Sequence, residues 1–348
     1  MYKLLLIEPP LTFAESEPPQ EVVVDRTDAS RRFQVVQTFS PRLVVADAPA
    51  EVPGLESRES VESAPLNDAE RLAASAWLEG TTPSAQPPPA PKKWNAFGGD
   101  APKFFRRPAA SGLPEAPDNG GLPLTAERSM HGRIAVGVVF VSGAFPGLLL
   151  SESDRRAVLS DVQQGLQLLA TAELKARVLF AYDVQHVTVQ VPPGTVLPGG
   201  EEEERLEAPW RDAALTALGY GPGKMGWGAY ASAIRASLSA RWSYVAFFTR
   251  YKLHHYAYTV DDKVVMYAGP LEPTRLQQVF AHETCHVFGA ADEYGNCSCN
   301  SRHGVFQARN GNCRACPTPQ RPCLMNMTAF VLCSHSRKQL GWDEPNVA

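Results

Sequence analysis

The sequence predicts an α/β (α+β) protein: a main domain over residues 131–348 with a twisted mixed sheet and a loop-dominated, cysteine-rich C-terminal part, preceded by a small α/β or β domain. Three observations carry this. From residue 133 onward, short apolar runs alternate with segments of helical period. Residues 80–130 hold ten prolines between Pro83 and Pro123, a linker composition. All seven cysteines fall after residue 284.

In chain order, Lys3–Ile7, Glu21–Val24, Phe33–Thr38 and Leu43–Ala46 read as short strands and Asp68–Leu78 as a helix, so residues 1–79 form a separate small unit. The run Leu4–Ile7 is too short for a signal peptide and ends at Glu8-Pro9-Pro10. Within the linker, Trp94, Phe97, Phe104 and Phe105 suggest that it docks on something. Arg133–Val141 is a buried strand. Ser151-Glu-Ser-Asp154 forms a capping box for a helix with Val158, Val162, Leu166 and Leu169 on one face. Ala176–Val191 is one long strand or a bent pair. Helices follow over Glu202–Leu218 and Tyr230–Ala240, then strands Ser243–Thr249, His255–Thr259 and Lys263–Ala268, with Asp261-Asp262 in the last turn. Thr274-Arg-Leu-Gln277 caps a further helix that buries Leu276, Val279 and Phe280, and Ser334–Leu340 is a last short helix stopped by Gly341.

The densest chemistry lies at Ala281–Tyr294, where H-E-x-x-H extends to H-E-x-x-H-x-x-G-x-x-D. Residues i and i+4 share a helix face, so His282 and His286 can present ring nitrogens to one Zn²⁺. Glu283 stands beside them, within reach of a water as general base, and Gly289 allows a turn that returns Asp292 as third ligand. Three protein ligands and an open position describe a catalytic zinc site. Glu293 is a rival for the Asp292 position. Tyr294 reads first as core packing, with orienting Asp292 or stabilising an oxyanion as the other roles. Cys285 reads as a small buried apolar residue, and His254-His255 as a cleft-edge or incidental pair. Cys297, Cys299, Cys313, Cys316, Cys323 and Cys333 crowd into one loop-rich stretch; three disulfides are favoured over a structural zinc held by the first four. Disulfides imply an oxidising compartment and a secreted protein. The net charge of −4 and a pI near 6.1 argue against nucleic acid and membrane surfaces as partners, and no apolar run is long enough for a transmembrane helix.

The extended motif resembles the metzincin zinc peptidases, in which H-E-x-x-H-x-x-G-x-x-H precedes a Met-turn. His282, Glu283, His286 and Gly289 match, and Asp292 replaces the usual last histidine, as in snapalysin-like members. Cys323-Leu324-Met325-Asn326 is similar to the Met-turn of the adamalysin branch, which assigns the apolar floor under the metal to Met325, with Met327 as the other candidate. The resemblance spans residues 131–343 and implies hydrolysis of peptide bonds in protein or peptide substrates by a zinc-activated water, with Glu283 as base. It also implies an edge strand, within His255–Thr259 or Lys263–Ala268, that holds extended substrate. Phe97-Gly98-Gly99-Asp100 matches the F-x-G-D latency motif of the astacin branch, making Asp100 a zymogen ligand; the other reading is a docked aromatic followed by a glycine turn. The expectation is a monomeric zinc endopeptidase, with a catalytically silent zinc-stabilised scaffold as the alternative and hydrolysis of a non-peptide bond as a third.

Overall fold

A computed structural model describes residues 1–7, 21–23, 32–81, 91–94, 103–104, 128–199, 201–269 and 275–342. The N-terminal strands are β1 (Tyr2–Leu6), β2 (Glu21–Val23), β3 (Arg32–Thr38) and β4 (Leu43–Asp47), followed by helices α1 (Arg58–Ser63) and α2 (Asp68–Thr81). A two-residue strand β5 (Lys103–Phe104) precedes β6 (Arg133–Gly143), α3 (Glu152–Ala172), β7 (Leu179–Val189), α4 (Glu202–Ala217) and α5 (Gly223–Ser237). Then come β8 (Trp242–Thr249), β9 (Ala257–Val260), β10 (Lys263–Tyr267) and α6 (Arg275–Val287). A small hairpin of β11 (Arg302–His303) and β12 (Ala308–Arg309) and a closing helix α7 (Ser334–Gln339) complete the chain.

Ten strands form one mixed sheet in the order β1-β4-β3-β7-β6-β8-β10-β9-β5, with β2 paired to β3. The centre is parallel (β7, β6, β8, β10), and antiparallel pairs stand on both flanks. From β6 the chain crosses to β7 through α3, then returns past β6 to β8 through α4 and α5. Crossovers keep one hand, so reversing the direction of travel puts the second helix pair on the opposite face. β6 shows both faces: Ile134, Val136, Val138 and Phe140 pack with Val162, Leu166 and Phe280, while Ala135, Val139 and Val141 pack with Trp210, Trp227 and Ile234. A central strand covered on both sides reads as an unbroken apolar run.

The expected helix cap at Ser151 is present, with Ser151 Oγ accepting from Asp154 N and Asp154 accepting from Ser151 N. Gly289 and Gly341 take the left-handed conformation, at φ 84° each, as the two helix stops require. Thr274 lies outside the described residues. At Gly165, near the middle of α3, an added Cβ would run into the carbonyl of Gln277, so α6 approaches α3 backbone to side-chainless backbone.

The strands of residues 1–79 join the sheet of the main domain: β3 pairs in parallel with β7, Gln37 opposite Phe180 and Thr38 opposite Ala181. Gln37 Nε2 donates to Gln163 O, Tyr182 Oη donates to Gln37 Oε1, and Gln163 Nε2 donates to Ala73 O. The free edge of β7 and the outer face of α3 thus find their partners in the first 81 residues. Among the described residues no helix is long and apolar enough to cross a membrane.

Candidate metal centre

The floor of the site is α6. Phe280 packs against Phe248 and Tyr244 of β8, and Thr284 Oγ1 lies 3.0 Å from Tyr244 Oη. With that face turned inward, His282 and His286 project from the next face, both fully buried. The chain leaves α6 at Gly289, with Ala290 N donating to Cys285 O. Three residues later Asp292 has come back over the helix. Asp292 Oδ1 stands 3.2 Å from His282 Nε2 and 3.3 Å from His286 Nε2, and the two Nε2 atoms are 2.9 Å apart.

This triangle fits a zinc ion. Ligands about 2.0–2.1 Å from a tetrahedral centre stand roughly 3.3 Å from one another. The ring tautomers agree. His282 Nδ1 is 3.0 Å from Leu324 O and His286 Nδ1 is 2.8 Å from Ala290 O. A carbonyl only accepts, so each Nδ1 carries its proton and each Nε2 turns a lone pair inward. Two lone pairs at 2.9 Å repel unless positive charge lies between them. Burial and the neighbouring His286 lower the pKa of His282, whereas at His286 the cost of burial is outweighed by the Asp292 carboxylate and the pKa rises. Asp292, against the cost of its own burial, is held well below the usual carboxylate range by the two imidazoles.

Glu283 is fully buried beside the triangle. Thr259 Oγ1 donates to its Oε2 at 2.6 Å, while Oε1 is buried without a hydrogen-bond partner. Burial pushes its pKa up to about 8, although His286 and Thr259 pull the other way. The result is a carboxyl group with one oxygen held by β9 and the other unengaged. Tyr294 is buried in the core cluster and bonds to Asp292.

Met325 is fully buried in the turn whose Leu324 carbonyl receives His282. Glu293 points away from the triangle. Its carboxylate accepts from Asn312 Nδ2 and Asn326 Nδ2 on one oxygen and from Cys333 Sγ and Ser336 Oγ on the other. Its backbone N–H donates to Met325 O at 3.0 Å, which ties the post-helix loop to the Met325 turn.

Two of the three expected disulfides are present, Cys297–Cys313 and Cys299–Cys316. That excludes those four as thiolate ligands of a second zinc. The third is a correction: Cys323 and Cys333 are free thiols. Cys333 donates to Glu293 Oε1 and Cys323 Sγ accepts from Cys333 N, so both sulfurs are committed to the Glu293 cage. The disulfide-held loop carries Asn310 and Asn312, which bond to Asp292 O and to the Glu293 carboxylate. Cys285 is free and buried in α6, as expected.

Two further groups of ligand-type side chains gather among the described residues: Glu203, His254 and His255 at the surface, and Glu293, Cys323 and Cys333 in the interior. His254 Nδ1 also lies 3.2 Å from Glu202. Asp100 and the rest of the F-x-G-D stretch lie outside the described residues. Sequence reasoning missed Thr259, a single threonine in an apolar strand that carries no motif, and gave Trp94 no role beyond docking. Trp94 is fully buried against His282, with ring centroids 5.4 Å apart. Its place among prolines and polar residues was the available signal. No family model and no curated protein matches the chain.

Proposed function

We propose that this chain is a zinc-dependent endopeptidase of metzincin type. The observation that carries the reading is the His282–His286–Asp292 triangle with lone pairs turned inward, set beside the unengaged Oε1 of a buried Glu283. A structural metal has no use for a base held at its side. When bound, zinc supplies an acidified water and polarises the scissile carbonyl. His282, His286 and Asp292 hold the ion, and Glu283 Oε1 takes the proton and returns it to the leaving amine. Thr259 fixes the other Glu283 oxygen so that the carboxylate does not swing away. Met325 keeps the floor apolar. Asp292 in place of histidine adds negative charge and makes the water less acidic than three neutral imidazoles do.

Of the two strands expected to hold extended substrate, β9 is the outer one, and the chain's own β5 lies on it in parallel, Lys103 opposite Tyr258 and Phe104 opposite Thr259. A peptide that adds to this edge first displaces β5, which supports a restrained, zymogen-like full-length chain. Two disulfides support secretion into an oxidising compartment.

The test is zinc content together with cleavage of an unstructured protein by the full-length chain and by Glu283→Gln. The expected result is one tightly held zinc in both, with cleavage by the wild type at least 100-fold faster, the scale on which a general base acts. A Glu283→Gln protein that cleaves as fast as wild type would sink the peptidase reading. Zinc in both with cleavage in neither, even after limited proteolysis between β5 and β6, leaves the silent scaffold.

A further inference from the structure

The proline-rich stretch before the main domain contributes a residue to the metal centre. Residues 92–94 lie along the Met325 turn. Lys92 N donates to Thr328 Oγ1 at 2.9 Å, Thr328 N returns a bond to Lys92 O at 2.9 Å, and Lys93 forms an antiparallel bridge with Met327. Trp94 N donates to Asn326 O at 3.0 Å. These bonds deliver the Trp94 side chain, fully buried, to the back of the zinc triangle. Its Nε1–H donates to Leu324 O at 2.7 Å. That carbonyl is the one that receives His282 Nδ1 at 3.0 Å. The indole ring meets the His282 ring edge-on, 5.4 Å between centroids at 65°.

We propose that Trp94 is a positioning residue of the metal centre, and that residues 92–94 therefore belong to the metal-binding unit and not to a linker. The inference rests on the zinc reading given above. The physical argument concerns one carbonyl with two lone pairs. Trp94 takes one and His282 the other, so the indole fixes the direction in which Leu324 O points. The imidazole follows, because its Nδ1–H tracks the oxygen, and Nε2 is thereby aimed at Asp292 Oδ1 and His286 Nε2. The ring also seals this side from water, which would otherwise compete for Leu324 O. Outer-sphere partners of this kind change metal affinity by about 10- to 100-fold when removed.

The experiment compares the full-length chain with Trp94→Phe, which keeps an aromatic ring and loses the N–H. Zinc dissociation constants are measured by competition with a chelator of known affinity, and the melting temperature of the metal-free protein is measured alongside. The expected result is zinc affinity about 10-fold weaker or more in Trp94→Phe, with the metal-free melting temperature near that of wild type. Unchanged zinc affinity overturns the proposal, and a lowered melting temperature with unchanged affinity does so equally, because it describes packing alone. If Trp94→Phe does not fold, the wild-type indole N–H resonance of Trp94 decides: it shifts on zinc addition if the indole and His282 share Leu324 O, and its indifference to zinc overturns the proposal. A wild-type chain that takes up no zinc overturns the metal-centre reading itself, a failure that the wild-type titration shows before any variant is compared.

Discussion

Thr259 gives its hydroxyl to Glu283 Oε2 at 2.6 Å and to Glu283 O at 3.0 Å, and it is fully buried. Hydrogen bonds to charged groups contribute about 1.5–3 kcal/mol. Thr259→Val keeps the shape of the strand and removes the donor, so kcat should fall by about 10- to 100-fold while zinc content stays at one equivalent. Thr259→Ser should restore most of the rate. A Val variant as fast as wild type would show that Glu283 needs no such support. The candidate ligand triangle was readable in the sequence because a helix fixes the relation of i to i+4, and Gly289 marks the turn that returns Asp292. Thr259 and Trp94 were not readable, because both act across more than 20 residues of chain and neither belongs to a periodic pattern. The fate of Glu293 was likewise hidden: it sits one residue from Asp292, yet its four donors come from residues 312 to 336.

At the scale of elements, long periodic segments announced themselves. β6, α3, β7 and β8 were expected within two or three residues, since each has one covering layer per face or a capped amphipathic pattern. α1 was missed because its six residues carry only one buried apolar side chain, Val61. α5 begins at Gly223 and not near Tyr230, because its Gly-rich first turns pack rather than loop; an added Cβ at Gly226 would overlap the carbonyl of Gly221. The start of α2 is held by charge. Glu70 accepts from the guanidinium of Arg42, from Asn67 N and from Ser40 Oγ, and is nearly fully buried. Burial alone would raise its pKa; Arg42 and the other donors outweigh it and lower it to about 2, against 4.5 in an unstructured chain. A depressed folded-state pKa stabilises the fold at pH values above 4.5, and this stabilisation is lost as the pH falls toward 2. Glu70→Gln should therefore cost about 2 kcal/mol at pH 7 and close to nothing at pH 2. Urea melts of both proteins at the two pH values check this; a constant difference across the range would remove Arg42–Glu70 as its source.

At the scale of the whole molecule, the division into 1–79, 80–130 and 131–348 does not coincide with the sheet. β3 covers the edge of β7, α2 covers α3, and Trp94 reaches the metal centre. Residues 131–348 alone should therefore expose a strand edge and the apolar seat of Ala73, Ala76 and Trp77. We expect that piece to aggregate or to melt well below the full chain. Size-exclusion chromatography and a thermal melt would show it, and a monodisperse piece with an unchanged melting temperature would restore the three-part division. Sequence composition could not reveal this, because pairing between β3 and β7 joins residues about 140 apart and leaves no local trace.

The thiol of Cys285 lies in the last turn of α6, fully buried, and burial raises its pKa well above that of a free cysteine. It is one residue from Thr284 and one from His286, so no probe reaches it while the helix is docked. Its alkylation by a small reagent consequently reports the opening of the metal helix and nothing smaller. The chain thus carries an internal clock: the ratio of labelling rates at Cys285 with and without zinc, resolved from those at Cys323 and Cys333, measures how far the ion closes the native state.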